Sequence, residues 1–148
     1  MKLWRVSRHR ELNGLGGLVA PGRWHVQGRP IIYAAEHQAT AQIEWLAQLE
    51  VTSPLDLPRT VPYSELTVPD DISQEEIRRE DLPGDWERDS MHTQQLGDEW
   101  LRRQRSVLLF VPSVLVPARN VLINPTHPDA EKVVLANTFD FPLDPRLR

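Results

Sequence analysis

A buried strand followed closely by a helix is the feature of this sequence that most constrains its fold. Residues 30–35, PIIYAA, form an uninterrupted apolar run, which is typical of a strand buried on both faces. Residues 39–49 then have helical spacing. The stripe of about 80° that we predict to face the core contains Ala39, Ile43, Leu46, Ala47 and Glu50. The unit therefore favours a domain that contains both a sheet and helices.

Glu44 has a special position on the predicted helix. It lies about 100° from Ile43, at the edge of the apolar stripe. A carboxylate at that edge would be partly desolvated and still reachable from a cleft, as a functional carboxylate must be. An ordinary glutamate at the boundary between core and solvent has the same spacing, and spacing alone favours this second interpretation.

The rest of the chain alternates short strands, loops and helices without the regular period of a doubly wound fold. Residues 3–7 alternate apolar and polar side chains and predict a half-buried strand, and the four glycines within residues 11–22 predict a turned loop. Further strands are predicted within residues 51–69, 106–116, 120–125 and 133–141, and helices within residues 73–80 and 93–104. Pro112 must end its strand, form a bulge or lie at an edge, because proline cannot donate to a sheet. We predict one compact α+β domain over residues 1–148, with mixed sheets and flanking helices.

The composition supports a single soluble domain. A chain of 148 residues fits one core, and 40% hydrophobic with 26% charged residues is typical of a globular protein. No apolar run approaches the roughly 20 residues that span a bilayer, and the first residues lack the apolar region of a secretory signal. We therefore expect a cytoplasmic protein without a membrane association.

The absence of cysteine excludes several kinds of site. Disulfides, thiolate nucleophiles and cysteine-rich zinc sites all need residues that this chain lacks. The five histidines lie in separate segments and form no HExxH pair. We expect no bound metal.

The charge argues against direct binding to nucleic acid. The net charge is −4 and the pI is near 5.7, whereas a protein that binds duplex DNA by itself usually has a basic face. The arginines cluster in two places, at positions 5, 8 and 10 and at positions 102, 103 and 105. A solvated face is the favoured interpretation of these clusters, and a patch for a phosphate-bearing small molecule is the alternative.

Three familiar catalytic patterns are missing. The sequence contains neither GxGxxG nor GxxxxGK[ST], the two glycine-rich phosphate loops. It also lacks the GxSxG nucleophile elbow. These absences argue against hydride transfer, phosphoryl transfer on a phosphate loop and acyl transfer on a serine elbow.

A different chemistry remains available. Arginine, at Arg23 and Arg5, can hold a diphosphate through paired hydrogen bonds. Tyr33 offers a flat face for stacking a ring, and Glu44 can stabilise an oxocarbenium-like transition state. Together with Ser113 these groups suit cleavage of an N-glycosidic bond in a dinucleotide, although most proteins of this size contain the same residue types.

Six ordered motifs, over nearly the whole chain, carry a resemblance to a known family. They are LWRVS at 3–7, GRW at 22–24, IIYAAEHQATAQIE at 31–44, TQQLGDEWL at 93–101, VPSVLVPARNVLINPTHPD at 111–129 and FDFPLDPRL at 139–147. The chain resembles the RES domain family, which is named for its arginine, glutamate and serine. The resemblance implies a fold similar to the ADP-ribosyltransferases.

The resemblance also implies a function. RES proteins are toxins of bacterial type II toxin–antitoxin pairs, and the family implies growth arrest through cleavage of the nicotinamide–ribose bond of NAD, by hydrolysis or phosphorolysis. Some members are protein ADP-ribosyltransferases, so transfer of ADP-ribose to a protein is an alternative. A catalytically degenerate binding domain is a third.

The motifs carry the family's functional residues onto this chain. The catalytic residues implied are Arg23 of the GRW turn, Glu44 of the helix and Ser113 of the VPSV motif. The residues implied to bind NAD, as the substrate, are Arg5, Arg23, Tyr33 and Asn120. In this scheme the arginines hold the diphosphate, the tyrosine stacks on nicotinamide, and the serine and asparagine position the ribose or the arginine.

Two parts of the chain depart from the family pattern. His25 follows the GRW turn where the family usually has asparagine, and residues 69–89 match no motif. The family also implies a partner, an antitoxin with a helix-turn-helix domain that covers the active site. This chain would then contact DNA only through that partner, in a hetero-oligomer, and a homodimer is also open.

Overall fold

The computed structural model of the protein describes residues 1–147, so the last residue of the predicted domain lies outside the described part. Within it the strands are β1 (Lys2–Val6), β2 (Ile32–Ala35), β3 (Thr60–Thr67), β4 (Gln74–Glu76), β5 (Leu108–Pro112), β6 (Arg119–Ile123) and β7 (Val134–Pro142). The α-helices are α1 (Gly16–Val19), α2 (Gln38–Gln48) and α3 (Ser90–Arg103). Short 3₁₀ turns occur at Pro54–Asp56, Arg79–Asp81, Trp86–Arg88 and Ala130–Lys132. None of the helices found in residues 1–147 is long and apolar enough to cross a membrane.

The strands form one mixed sheet in the order β4-β5-β6-β2-β1-β3-β7. The β4–β5 pair is parallel, and the other neighbours are antiparallel. A single residue pair, Trp4 with Ala35, joins β1 to β2, whereas each of these strands pairs along its length with its other neighbour. The sheet therefore consists of two halves that part beside Trp4 and Ala35. This architecture confirms the predicted single α+β domain.

Two apolar clusters cover the two faces of the sheet. Leu108 and Phe110 of β5 belong to one cluster, and Leu109 and Val111 belong to the other. Such alternation explains why the sequence of β5 is a continuous apolar run, since both of its faces are buried. The second cluster also contains Trp24, Trp86, Trp100 and Leu101, which bring α3 and the GRW turn onto this face.

The predicted helix at residues 73–80 is wrong. Residues Gln74–Glu76 form β4, an edge strand parallel to β5. Ser73, the first residue of the predicted helix, accepts a hydrogen bond from the Val107 amide on its hydroxyl and from the Val107 and Leu108 amides on its carbonyl. The backbone at this point is therefore bonded to the sheet, and the acidic side chains lie on an edge where charge is tolerated.

The helix predicted at residues 39–49 is confirmed, but its predicted buried face is wrong. Ile43, in the predicted stripe, is 39% exposed, whereas Ala41 is 7% exposed. The small side chain of Ala41 allows α2 to approach the sheet closely, and Glu44 lies near that face with polar partners at the ends of β5 and β6. A polar contact that the sequence pattern does not show thus sets the rotation of the helix.

Helix α3 packs closely on the GRW turn, residues 22–24. The Thr93 hydroxyl donates to the Arg23 carbonyl at 2.5 Å, and the Gln94 side chain donates to the Gly22 carbonyl at 2.9 Å. A Cβ added at Gly97 would lie only 1.7 Å from the Trp24 carbonyl oxygen. Glycine at position 97 is therefore required by the close approach of helix and turn.

We expect Gly97→Ala to lower the free energy of unfolding by about 2 kcal/mol, because overpacking against backbone outweighs the gain of about 1 kcal/mol in helix propensity. Gly84→Ala is the matched control, since a Cβ at Gly84 meets open space. It should change stability by less than about 1 kcal/mol. Urea unfolding of both variants measures the difference, and equal midpoints would contradict the close approach.

Candidate active site

A cleft lies where the two halves of the sheet part. Its lining comes from β1, β2, α2 and β6 and includes Trp4, Arg5, Tyr33, Glu44, Trp45, Gln48 and Asn120. A larger cavity of about 360 Å³ lies at the end of α2, but its lining contains no titratable side chain. The cleft is therefore the better candidate for chemistry.

Glu44 is held in this cleft by two hydrogen bonds to one oxygen. Its Oε1 accepts from the Ser113 hydroxyl at 2.6 Å and from Asn120 Nδ2 at 2.8 Å. Asn120 on β6 pairs with Val111 on β5, so both donors lie at the same end of this strand pair. Within residues 1–147, both hydrogen bonds to this carboxylate go to Oε1 and none goes to Oε2. Glu44 is thus a carboxylate whose orientation is set by two hydrogen-bond donors.

The Ser113 hydroxyl is itself oriented by the turn that follows β5. Ser113 is fully buried, and its Oγ accepts hydrogen bonds from the Leu115 amide at 3.0 Å and the Val116 amide at 3.3 Å. These two donors occupy the lone pairs of Oγ, so the hydroxyl hydrogen is left to bond Glu44. Strand β5 ends at Pro112. This is one of the three outcomes predicted for a residue that has no amide hydrogen to donate to the sheet.

Tyr33 connects the cleft to the GRW turn. Its hydroxyl accepts from the Trp24 amide at 3.2 Å and lies 2.7 Å from His25 Nδ1, while His25 Nε2 lies 2.9 Å from the Ala20 carbonyl. The carbonyl only accepts, so we assign the ring hydrogen to Nε2. A neutral His25 then accepts on Nδ1 from the Tyr33 hydroxyl. In this series of hydrogen bonds, from the Trp24 amide to the Ala20 carbonyl, every polar hydrogen has an acceptor.

Burial sets the charge states of this pair. Desolvation lowers the pKa of His25, opposed in part by hydrogen bonds to the carbonyls of Ala20 and Gly17. Desolvation raises the pKa of Tyr33 above its usual range, opposed in part by the Trp24 amide and the charge of Arg23. Both rings are therefore neutral at pH 7, as the hydrogen-bond assignment requires.

The two predicted phosphate-binding arginines have different positions. Arg5 lines the cleft and donates through Nη1 to the Glu11 carbonyl at 3.2 Å. Burial lowers its pKa and the charge of Glu11 opposes this, but a guanidinium stays protonated in proteins. Arg23 does not line the cleft. It donates to the Glu87 carbonyl at 3.0 Å, and its neighbour Trp24 donates its amide hydrogen to the Tyr33 hydroxyl.

The structure thus brings Glu44, Ser113 and Asn120 into direct contact and places Arg5 and Tyr33 on the walls of the same cleft.

Comparison with known proteins identifies the family. The family model described as RES domain matches residues 2–144. The chain belongs to the RES domain family.

Individual relatives agree with this assignment. The chain is 38% identical to "Toxin Res" of Pseudomonas putida (strain KT2440), an alignment that covers 99% of each protein. It is 35% identical to "Prs ADP-ribosylating toxin" of Sphingobium sp. (strain YBL2), over 97% of this chain and 94% of that protein. The prediction of a RES-domain toxin is therefore confirmed.

A solved structure shows the same fold. A chain of the crystal structure of the M. tuberculosis MbcT–MbcA toxin–antitoxin complex superposes with a TM-score of 0.71 at 18% identity. The match covers 99% of this chain and 85% of the other. At this identity the likeness establishes the fold of the RES domain.

Some residues of this RES-domain cleft were not predicted from the sequence. Gln48 lies four positions after Glu44, on the same side of α2, and that spacing could have identified it. Trp45 follows Glu44 directly, and Trp4 precedes Arg5, so both are adjacent to residues that the motifs had already marked. Their position in the cleft depends on sheet pairing and helix rotation, which the motifs do not specify.

The departure at His25 has a structural explanation in this RES domain. A side-chain amide can donate to one group and accept from another, and the neutral imidazole does both here, with the Ala20 carbonyl and the Tyr33 hydroxyl. His25 is only 4% exposed, so its contribution to stability depends on remaining uncharged.

We therefore expect a pH-dependent stability that originates at His25. Its folded pKa is lowered, so its contribution is complete above the unfolded pKa of about 6.5 and is lost as the pH falls below it. Between about pH 7.5 and pH 5.5, wild type should therefore lose more unfolding free energy than His25→Asn, which has no imidazole to protonate. Urea titrations at each pH measure this difference.

The control for this experiment is His9→Asn, since His9 is exposed. That variant should follow the wild-type pH dependence. Parallel pH profiles for wild type and His25→Asn would show that the buried imidazole is not the group responsible.

Proposed function

We propose that this protein is the toxin of a toxin–antitoxin pair and arrests growth by cleaving the nicotinamide–ribose bond of NAD. The observation that carries the proposal is the oriented carboxylate of Glu44, bonded through Oε1 to Ser113 and Asn120 inside a cleft. That cleft also contains a guanidinium, from Arg5, and the ring of Tyr33. Anion, cation and aromatic face are the groups that a dinucleotide and a ribosyl cation require.

The first step of the proposed reaction needs no acid. The nicotinamide of NAD is a pyridinium, so it leaves with the electron pair of the C–N bond and becomes neutral. The ribose carbon that loses this pair acquires positive charge. The carboxylate of Glu44 stabilises that charge and, through Oε2, orients a ribose hydroxyl.

The second step adds a nucleophile to the ribosyl cation. Attack by water forms a C–O bond and releases a proton to solvent, which gives ADP-ribose. Attack by phosphate gives the ribosyl phosphate. Arg5 supports both routes, because a half-buried cation in the cleft can hold the diphosphate of NAD while the bond at the other end breaks.

The remaining predicted residues have supporting roles in the proposal. Tyr33 stacks on the nicotinamide ring, and its hydroxyl is fixed by Trp24 and His25. Arg23 contributes positive charge from the turn beside Tyr33, since its guanidinium is bonded away from the cleft lining. Ser113 and Asn120 orient the Glu44 carboxylate through their hydrogen bonds to Oε1, and we assign them this role in place of positioning the ribose.

Transfer of ADP-ribose to a protein is a second candidate. The observation that favours it is the relative of 35% identity whose name describes ADP-ribosylation of Prs. The bond that breaks is the same, and only the nucleophile differs. Surface loops around the cleft would select the acceptor.

An antitoxin is the proposed partner. One structure with this fold comes from a toxin–antitoxin complex. We propose that the antitoxin of this chain carries a helix-turn-helix domain, and that the acidic toxin, with a net charge of −4, meets DNA only through it. The toxin acts in the cytoplasm in this scheme, where NAD is available to it.

Incubation of the purified protein with NAD, with free nicotinamide followed by chromatography, tests the activity. Glu44→Gln removes the charge but keeps the shape, and we expect it to lower the rate by about 100-fold or more. Glu50→Gln is the control, since Glu50 is exposed just beyond α2, and it should retain the wild-type rate.

The same assay distinguishes the routes. A rate that rises with added phosphate indicates phosphorolysis, and a discrete band from labelled NAD in a lysate indicates protein ADP-ribosylation. Absence of nicotinamide release from wild type in every arm would refute the enzymatic proposal and favour a degenerate binding domain.

A further inference from the structure

Residues 69–89, which contain none of the six motifs, contact both sides of the candidate site. Its second half contains Arg79, Trp86 and Glu87, which we call the bracket. The bracket touches the turn that follows β5 and also the GRW turn. These two turns carry Ser113 and Arg23, which lie far apart in sequence.

On one side, Arg79 holds the turn at residues 113–116. Its Nη2 donates to the Ser113 carbonyl in a short hydrogen bond and lies 3.4 Å from the Val116 carbonyl. The amides of this same turn orient the Ser113 hydroxyl, as described above. Arg79 therefore binds the backbone whose shape directs Ser113 toward Glu44.

On the other side, the bracket holds Arg23. Both guanidinium groups lie over the indole of Trp86, with Cζ of Arg79 5.5 Å and Cζ of Arg23 5.9 Å from its ring centroid. Trp86 is 3% exposed and packs at 6.2 Å against Trp24. Glu87 contributes its carbonyl to Arg23 and its carboxylate to Arg79, the latter at 3.9 Å.

An ordinary surface arginine would not have these partners. Arg78, the adjacent residue, has a side chain that is 63% exposed, and its ion-pair partners within residues 1–147 are the carboxylates of Glu80 and Asp81, each at 3.9 Å. Such exposed pairs contribute little. Arg79 instead donates to two carbonyls of one turn and lies over a buried indole, and a planar guanidinium is suited to both contacts.

We propose that Arg79 is a positioning residue that acts through Ser113 on Glu44, with Trp86 coupling this contact to the GRW turn. The inference rests on the proposed function, because Glu44 is assigned to the reaction there. Loss of Arg79 frees the turn, weakens the bond from Ser113 and lets the carboxylate move. We expect substrate affinity to be retained, since the hydrogen bonds of Arg5 and Tyr33 within residues 1–147 go to Glu11, Trp24 and His25 and not to the bracket.

The kinetic test compares wild type with Arg79→Ala, Arg79→Lys and the matched control Arg78→Ala. We expect Arg79→Ala to lower kcat by about 10- to 100-fold with little change in KM for NAD. Arg79→Lys should recover part of the rate, because an ammonium can still donate to one carbonyl. Arg78→Ala should match wild type.

A double variant tests the route of action. If Arg79 acts through Ser113, the loss in Arg79→Ala/Ser113→Ala should be no larger than the loss in Ser113→Ala alone. Losses that multiply would overturn the proposal, as would an Arg79→Ala variant as active as Arg78→Ala.

Hydrogen exchange supplies a measurement that does not need NAD. The Leu115 and Val116 amides should exchange faster in Arg79→Ala than in wild type, and at the wild-type rate in Arg78→Ala. If wild type releases no nicotinamide while this difference in exchange is present, the proposed function fails and the positioning of the turn stands. Equal exchange in both variants would refute the positioning itself.

Discussion

The two hydrogen bonds to Glu44 Oε1 are the interaction on which the candidate site depends. They join α2 to the ends of β5 and β6, and they compensate a carboxylate that faces the sheet. Because Ser113 and Asn120 both donate to the same oxygen, the rotation of α2 and the orientation of the carboxylate are set together. The strands β1 and β2 diverge beside Trp4 and Ala35, and this divergence leaves the cleft that the Glu44 carboxylate lines.

The other wall of the site depends on neutral polar groups. Tyr33 and His25 are buried with complete hydrogen bonding, and their charged forms are disfavoured by desolvation. Histidine is accommodated where the family usually has asparagine, because the neutral imidazole donates to the Ala20 carbonyl and accepts from the Tyr33 hydroxyl. The GRW turn is held further by α3, which approaches it so closely that only glycine fits at position 97. A turn fixed from two sides is suited to presenting Arg23 in one orientation.

Where the sequence pattern predicted correctly, one physical constraint dominated. The apolar run at residues 106–116 was predicted to contain a strand, and β5 ends at Pro112, one of the three outcomes that the proline allowed. At residues 73–80 the local pattern favoured a helix, but hydrogen bonds between Ser73 and the distant Val107 and Leu108 place the segment on the sheet edge as a strand. On α2 the apolar stripe was predicted to face the core, but the hydrogen bonds of Glu44 turn a different face of the helix to the sheet. Ile43 is therefore exposed to solvent. Both errors have one cause, a long-range polar contact that outweighs a local preference.

The sequence by itself determined the family, the α+β class, the main strands and the residues Arg5, Tyr33, Glu44, Ser113 and Asn120 that meet in or beside one cleft. Motif identity and hydrophobic pattern carry this information because they are local. Only the tertiary structure decided which of these side chains touch, that Arg23 lies outside the cleft lining, and that residues 79–87 connect two turns of the site. Those facts depend on contacts between residues tens of positions apart, and such contacts are fixed by sheet pairing and packing.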